Sequence, residues 1–134
     1  MLAPKKLKNR KPHRQHVRGL AKGNTRIAFG SFALKATTGG WIKARQIEAA
    51  RKVITRYTKR GGKLWIRIFP HHSVSNKGSQ TTMGGGKGVP DHYIAAIRPG
   101  SIIFELDGVE RADAQEAMTL AGHKLSVMTK FIEK

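Results

Sequence analysis

Gly84-Gly85-Gly86-Lys87-Gly88 is the segment whose composition comes nearest to a nucleotide-phosphate loop. Such a loop reads G-x-x-x-x-G-K-[ST], because a hydroxyl after the lysine must hold magnesium. Here Gly88 follows Lys87, and Thr81 stands where the first glycine belongs. The glycines read instead as bare backbone that can approach a partner closely. His71, His72 and His92 are the next candidates, as metal ligands. The chain has no Cys, and Asp91 is the only carboxylate near them in sequence, so no metal site is expected. His13 and His16 lie among cations, which repel a metal. Ser73, Ser75 and Ser79 have no activating neighbour, and no nucleophile–base–acid set can be assembled. The expectation is a protein with no catalytic residue and no cofactor.

What remains is charge. Lys and Arg number 26 against 8 Asp and Glu in 134 residues, a net charge of +18. That makes an anionic partner the first hypothesis. The charge is uneven: residues 1–90 carry +20 and residues 91–134 carry −2. Lys5, Lys6, Lys8, Arg10, Lys11, Arg14, Arg18 and Lys22 lie in residues 1–24, with no acid and few apolar residues. This reads as a disordered or extended basic arm that orders on a partner. A transit peptide would be rich in Ser and show a helical stripe, and the arm has neither. The apolar runs are too short to cross a bilayer, so no membrane partner is expected. Only nine residues are aromatic, and most fit core positions. Single-strand binders need aromatic residues exposed on strands. Neutralising phosphates on a folded RNA is therefore the better expectation.

These residues must be positioned by an ordinary core. Arg26 to Leu34 reads as a strand, with Ile27, Phe29 and Ala33 on one side. The period becomes helical from about Ile42 to Arg60. Ile47, Ala50, Ile54 and Tyr57 form its buried stripe, and Arg45, Lys52, Arg56 and Lys59 lie on another face. Gly61-Gly62 is expected to end this helix. Lys63 to Phe69 reads as a strand and residues 70–90 as a long loop. Tyr93–Ile97 and Ser101–Leu106 read as a hairpin turning at Pro99-Gly100. A second helix from about Arg111 to His123 buries Ala114, Ala117, Leu120 and Ala121, and Ser126–Ile132 closes the fold. The acids read as ordinary surface partners. The expected class is α+β: two helices on a mixed, mainly antiparallel sheet. Residues 25–134 are expected to form a single RNA-binding domain, with loop 70–90 inserted and residues 1–24 as its arm.

Several blocks, in order, resemble one family. They are Met1-Leu2 with Pro4-Lys5, the basic stretch 8–11 and His13; Phe29-Gly30 with Phe32 and Leu34; and Ala44-Arg45-Gln46-Ile47-Glu48-Ala49-Ala50-Arg51. Further on come Gly62-Lys63 with Trp65-Ile66-Arg67-Ile68-Phe69-Pro70; Met83-Gly84 with Gly86-Lys87-Gly88; and Asp107-Gly108-Val109. Together they resemble the bacterial ribosomal protein L-sixteen family of the large subunit, from Met1 to the last strand. The resemblance implies a hammerhead-like α+β fold and a structural, non-enzymatic role. It implies binding to large-subunit (23S-type) rRNA and contact with A-site tRNA, with P-site tRNA as a further option. Neighbouring large-subunit proteins are the implied protein partners, and no stable homo-oligomer is expected. The arm and the helix residues Arg45, Arg51, Lys52 and Arg56 would meet rRNA phosphates, with Lys59 on the same basic face. Lys77, Thr82, Met83, Gly84, Gly85, Gly86, Lys87 and Gly88 would face tRNA.

Because the resemblance starts at Met1, no leader is expected. The implied location is the ribosome of the bacterial cytoplasm, or of an organelle that encodes its own copy. A free basic RNA-binding or RNA-chaperone protein is the alternative. Three positions depart from the family pattern. Lys43 stands where Thr or Ser usually caps the helix. Thr82 replaces an Arg, removing one loop charge. His71-His72-Ser73 replaces a more usual Asp-Lys-Pro.

Overall fold

Ile47, Ala50 and Ile54 recur at helical spacing, and all three are buried on α1 (Ala44–Tyr57). This helix packs on α2 (Arg111–Gly122), which buries Ala114, Ala117, Met118 and Ala121. The computed structural model describes residues 1–134. The seven strands are β1 (Phe32–Ala36), β2 (Gly40–Lys43), β3 (Lys63–Ile66), β4 (His72–Asn76), β5 (Val89–Ile97), β6 (Ile102–Asp107) and β7 (Thr129–Glu133). They form two sheets, of order β3-β6-β1-β7 and β2-β5-β4. Every pairing is antiparallel. The fold is α+β as expected, with the strands divided between two sheets instead of one. A core of 17 buried apolar residues joins the layers, among them Leu34, Ile42, Ile47, Ile54, Ala95, Phe104 and Met118.

Several expected boundaries move. Residues 26–31 are not a strand. They cross the sheet face opposite the helices, where the Ala28 and Phe29 N–H groups donate to the Glu105 carboxylate at 2.7 and 2.8 Å. Ile42 belongs to β2, not to the helix, and Tyr57 is 39% exposed at the helix end. On α2, Met118 takes the buried place expected of Leu120. The polar segment His72–Asn76, expected as loop, is edge strand β4, and the connecting loop shrinks to residues 77–88. Pro99-Gly100 does not join a hairpin. The chain there crosses from the three-stranded sheet to the four-stranded one.

The end of α1 is tighter than the glycine pair suggested. Lys59 and Arg60 both adopt left-handed backbone, with φ of 52° and 62°. Neither is glycine, so each carries a steric cost. Gly62 is obligatory: its φ is 71°, and a Cβ there would sit 2.4 Å from the Asp107 carbonyl oxygen. At the other end, the Lys43 backbone N–H donates to Gln46 Oε1 at 2.9 Å. Lysine has no acceptor to return the bond, so only half of a reciprocal cap is made.

Candidate nucleic-acid interface

The arm has neither helix nor strand, and it lies along the body. Leu2 packs against the core. Met1–Ala3 lie beside Lys43, Ala44 and Arg45 at the start of α1. Further along, the Arg10 carbonyl accepts from the Ser73 hydroxyl of β4. Trp41 Nε1 donates to the Gln15 carbonyl at 3.2 Å, and the Arg14 guanidinium lies 5.2 Å from the indole centroid. The Ala21 N–H donates to the Pro99 carbonyl. Asn24, at φ 56°, ends the arm by donating through Nδ2 to the Ile102 carbonyl at 2.8 Å. These are mainly backbone and aromatic contacts. They leave the eight cationic side chains exposed and without a carboxylate partner.

On α1, Arg45, Lys52 and Arg56 are exposed. Lys59 lies beyond the helix, in the left-handed turn, so it extends the basic face without belonging to the helix. Arg51 differs from the others. It forms a two-point pair with Glu48, at 2.6 and 3.1 Å. The hydrogen bond from Arg51 holds the Glu48 carboxyl below its ordinary range, and Glu48 raises Arg51 in return. Of the thirteen cations expected to meet rRNA, Arg51 alone has a carboxylate partner. No acid lies in the first turn of α1, so Lys43 and Arg45 add to the positive end of the helix dipole. The start of the arm adjoins the same place.

The loop glycines Gly84, Gly85 and Gly86 have φ of 149°, 74° and 99°, values L side chains rarely adopt. No atom beyond their chain neighbours would lie within 4 Å of a Cβ at any of them. Thr82 is exposed, and Met83 is fully exposed at the tip. Lys77 folds inward, donating through Nζ to the Gly84 and Gly86 carbonyls. Lys87 reaches the arm instead. Its Nζ donates to the Pro12 carbonyl, while Lys11 Nζ donates to the Lys87 carbonyl at 3.0 Å. Loop and arm are thus clasped together. Gly88 must be glycine, because a Cβ would lie 2.6 Å from the Asn76 carbonyl oxygen.

The histidines are separated. His71 faces the Phe69 carbonyl and His92 contacts Asp91. His72 has its pKa lowered by burial first, then by His71 and Lys87. No group of three or more His, Cys, Asp or Glu side chains is placed to hold a metal ion. No helix is long and apolar enough to cross a membrane.

Two features were missed in the sequence. Glu105 is fully buried in the apolar strand β6 and is not a surface acid. It receives the Ala28 and Phe29 N–H groups and Arg67 Nη1 at 2.9 Å. An acid inside Ile102-Ile103-Phe104-Glu105-Leu106 was itself the signal, since a buried carboxylate must be paired. The aromatics were also misjudged. Phe104 alone is fully buried, while Phe29 is 58% exposed and stacks on Trp65 at 5.9 Å.

Comparison with known proteins adds a consistent finding. A family model described as ribosomal protein L16p/L10e matches residues 4–132. The large ribosomal subunit protein uL16 of Leuconostoc citreum (strain KM20) is 54% identical over 134 residues, covering 100% of this chain and 98% of that protein. The large ribosomal subunit protein uL16c of Porphyra purpurea is 56% identical over 133 residues, covering 98% and 95%. The uL16 protein of Leuconostoc mesenteroides subsp. mesenteroides is 53% identical, covering 100% and 98%.

Proposed function

The chain belongs to the ribosomal protein L16p/L10e family, and from that membership we propose that it binds large-subunit rRNA through its arm and α1, and A-site tRNA through loop 77–88. It is a structural component of the large ribosomal subunit and not an enzyme, in bacterial or organellar ribosomes. P-site tRNA is a secondary contact for the same loop. Residues 1–24 act as the electrostatic arm of a domain spanning residues 25–134.

One observation supports the rRNA reading above others. Twelve cations (Lys5, Lys6, Lys8, Arg10, Lys11, Arg14, Arg18, Lys22, Arg45, Lys52, Arg56 and Lys59) have no carboxylate partner. Phosphates would supply the missing counter-charge, with release of bound ions on contact. Arg51 would add to this set by exchanging or sharing Glu48. At the loop, exposed glycine backbone offers N–H groups that a phosphate can approach closely. Neighbouring large-subunit proteins complete the set of partners, and no stable homo-oligomer forms.

Sedimentation with large subunits through a moderate-salt gradient tests the subunit role. A free basic RNA binder would stay at the top. Subunits rebuilt with a chain lacking residues 79–86 test the loop. They should retain the protein but bind aminoacyl-tRNA less well. Undiminished tRNA binding would make the loop a linker only.

A further inference from the structure

Between the arm and the outer face of the three-stranded sheet lies a cleft of about 320 Å³. Pro12, Arg14 and Lys87 line it together with Trp41 and residues 72–75. Its lining divides into three kinds of group. Trp41 and the Arg14 guanidinium, which lies over its ring 5.2 Å from the centroid, offer flat, polarisable surface. Arg14 and Lys87 supply positive charge. His72 and Ser75 supply groups that both donate and accept hydrogen bonds, while the buried Ser73 hydroxyl already donates to the Arg10 carbonyl. His72 keeps this dual capacity because burial, His71 and Lys87 all disfavour its protonated form. No carboxylate lines the cleft, so a cationic ligand has nothing to meet.

We propose that this cleft receives one unpaired nucleotide of RNA, its base stacked against the Arg14–Trp41 pair and its phosphate held by Lys87. The inference rests on the RNA-binding reading above and gives it a specific contact. A nucleotide combines a flat face, an edge of donors and acceptors, and an anion, which are the three features the lining matches. A duplex does not suit the site, because stacked and paired bases present no free face. The volume lies at the lower end for ligand pockets, fitting one residue of a strand. The walls are also fixed before binding. Ser73 holds Arg10, Trp41 holds Gln15, and Lys87 holds Pro12. Such a cleft recognises a base flipped out of a folded RNA, which phosphate neutralisation alone would not do.

The chain has two tryptophans, so the full-length Trp65→Phe protein reports on Trp41 alone. A single-stranded RNA hexanucleotide and inorganic polyphosphate of matched charge are added in parallel, with binding followed separately by anisotropy of labelled ligands. RNA should quench Trp41 to saturation and polyphosphate should not. Two variants keep the charge while altering the cleft. Ser75→Phe narrows it, and Arg14→Lys removes the planar stacking group from a segment without helix or strand. Each should reduce the quench and weaken RNA binding about tenfold, within the range that base stacking supplies. Equal quenching by polyphosphate, or RNA binding that leaves Trp41 and both variants unaffected, would overturn the cleft while sparing the wider RNA reading. No RNA binding by anisotropy would overturn both.

Discussion

Replacing Glu105 with Ala removes the acceptor that faces three donors: the Ala28 N–H, the Phe29 N–H and Arg67 Nη1. The carboxylate is fully buried, whereas the Arg67 side chain is 20% exposed. Breaking a buried pair by removing one partner costs about 3–5 kcal/mol. Arg67 can turn partly to water, which places the expected loss near the lower end, at about 3 kcal/mol. That is a large share of the roughly 5–15 kcal/mol that holds a domain folded. Glu105→Gln keeps the shape and one acceptor oxygen, but sets an NH₂ group against a donor. Its expected cost is about 2 kcal/mol. Urea unfolding, followed by circular dichroism, measures both. With a slope of about 1–3 kcal/mol/M, the Ala variant should lose roughly 1–3 M in midpoint. Removing the anchor also frees the segment that stacks Phe29 on Trp65, so Trp65 emission should shift before global unfolding. A loss below about 1 kcal/mol in the Ala variant would refute the assignment of Glu105 as the clamp on residues 28–29.

On α1, Ile54→Ala should cost about 2–4 kcal/mol in the same assay, because Ile54 is buried in the core. Arg45→Ala and Arg56→Ala should change stability by less than about 0.5 kcal/mol yet weaken rRNA binding; the reverse pattern would invert the face assignment. Arg60→Gly should stabilise the chain by up to about 1 kcal/mol, since Arg60 holds a left-handed φ of 62° that glycine adopts freely; unchanged unfolding midpoints would deny the strain. His72 should titrate below its ordinary value near 6.5 in NMR. The folded state then takes up fewer protons at His72 than the unfolded state, so this group's contribution to stability is present above about pH 6.5 and is lost as pH falls through its folded value. An upward shift would contradict the partial burial that lowers it.

Both helices could be read from periodicity, because Ile47, Ala50 and Ile54 recur on one face and small alanines mark the buried side of α2. Strand partners could not. Gly40–Lys43 is short and runs directly into α1, so Ile42 reads as the first residue of the helix. His72–Asn76 is polar because it is an edge strand, and its pairing comes from Val89–Ile97 across the glycine loop. Pro99-Gly100 signals a turn correctly, but a local turn does not say which sheet each flanking strand joins. The basic arm and helix face were legible as charge. What charge could not show was the seating of the arm, since Ser73–Arg10, Trp41–Gln15 and Lys87–Pro12 are contacts to backbone carbonyls that no side-chain pattern encodes. Lys77 and Lys87 read as free loop cations for the same reason. Thr82 is exposed at the loop tip, where its side chain makes no hydrogen bond to the body.

Phosphate neutralisation by the arm is the central claim, and the salt dependence of binding to large-subunit rRNA tests it most directly. The parent chain is compared with one in which Lys5, Lys6, Lys8, Arg10, Lys11, Arg14, Arg18 and Lys22 are all changed to Gln, which keeps the backbone contacts that seat the arm. Each phosphate contact contributes about 0.7–0.9 to the slope of log affinity against log salt. If about five of the eight cations make such contacts, the slope should fall by about four, with the fold unchanged by circular dichroism. An unchanged slope in the neutralised chain would contradict the account.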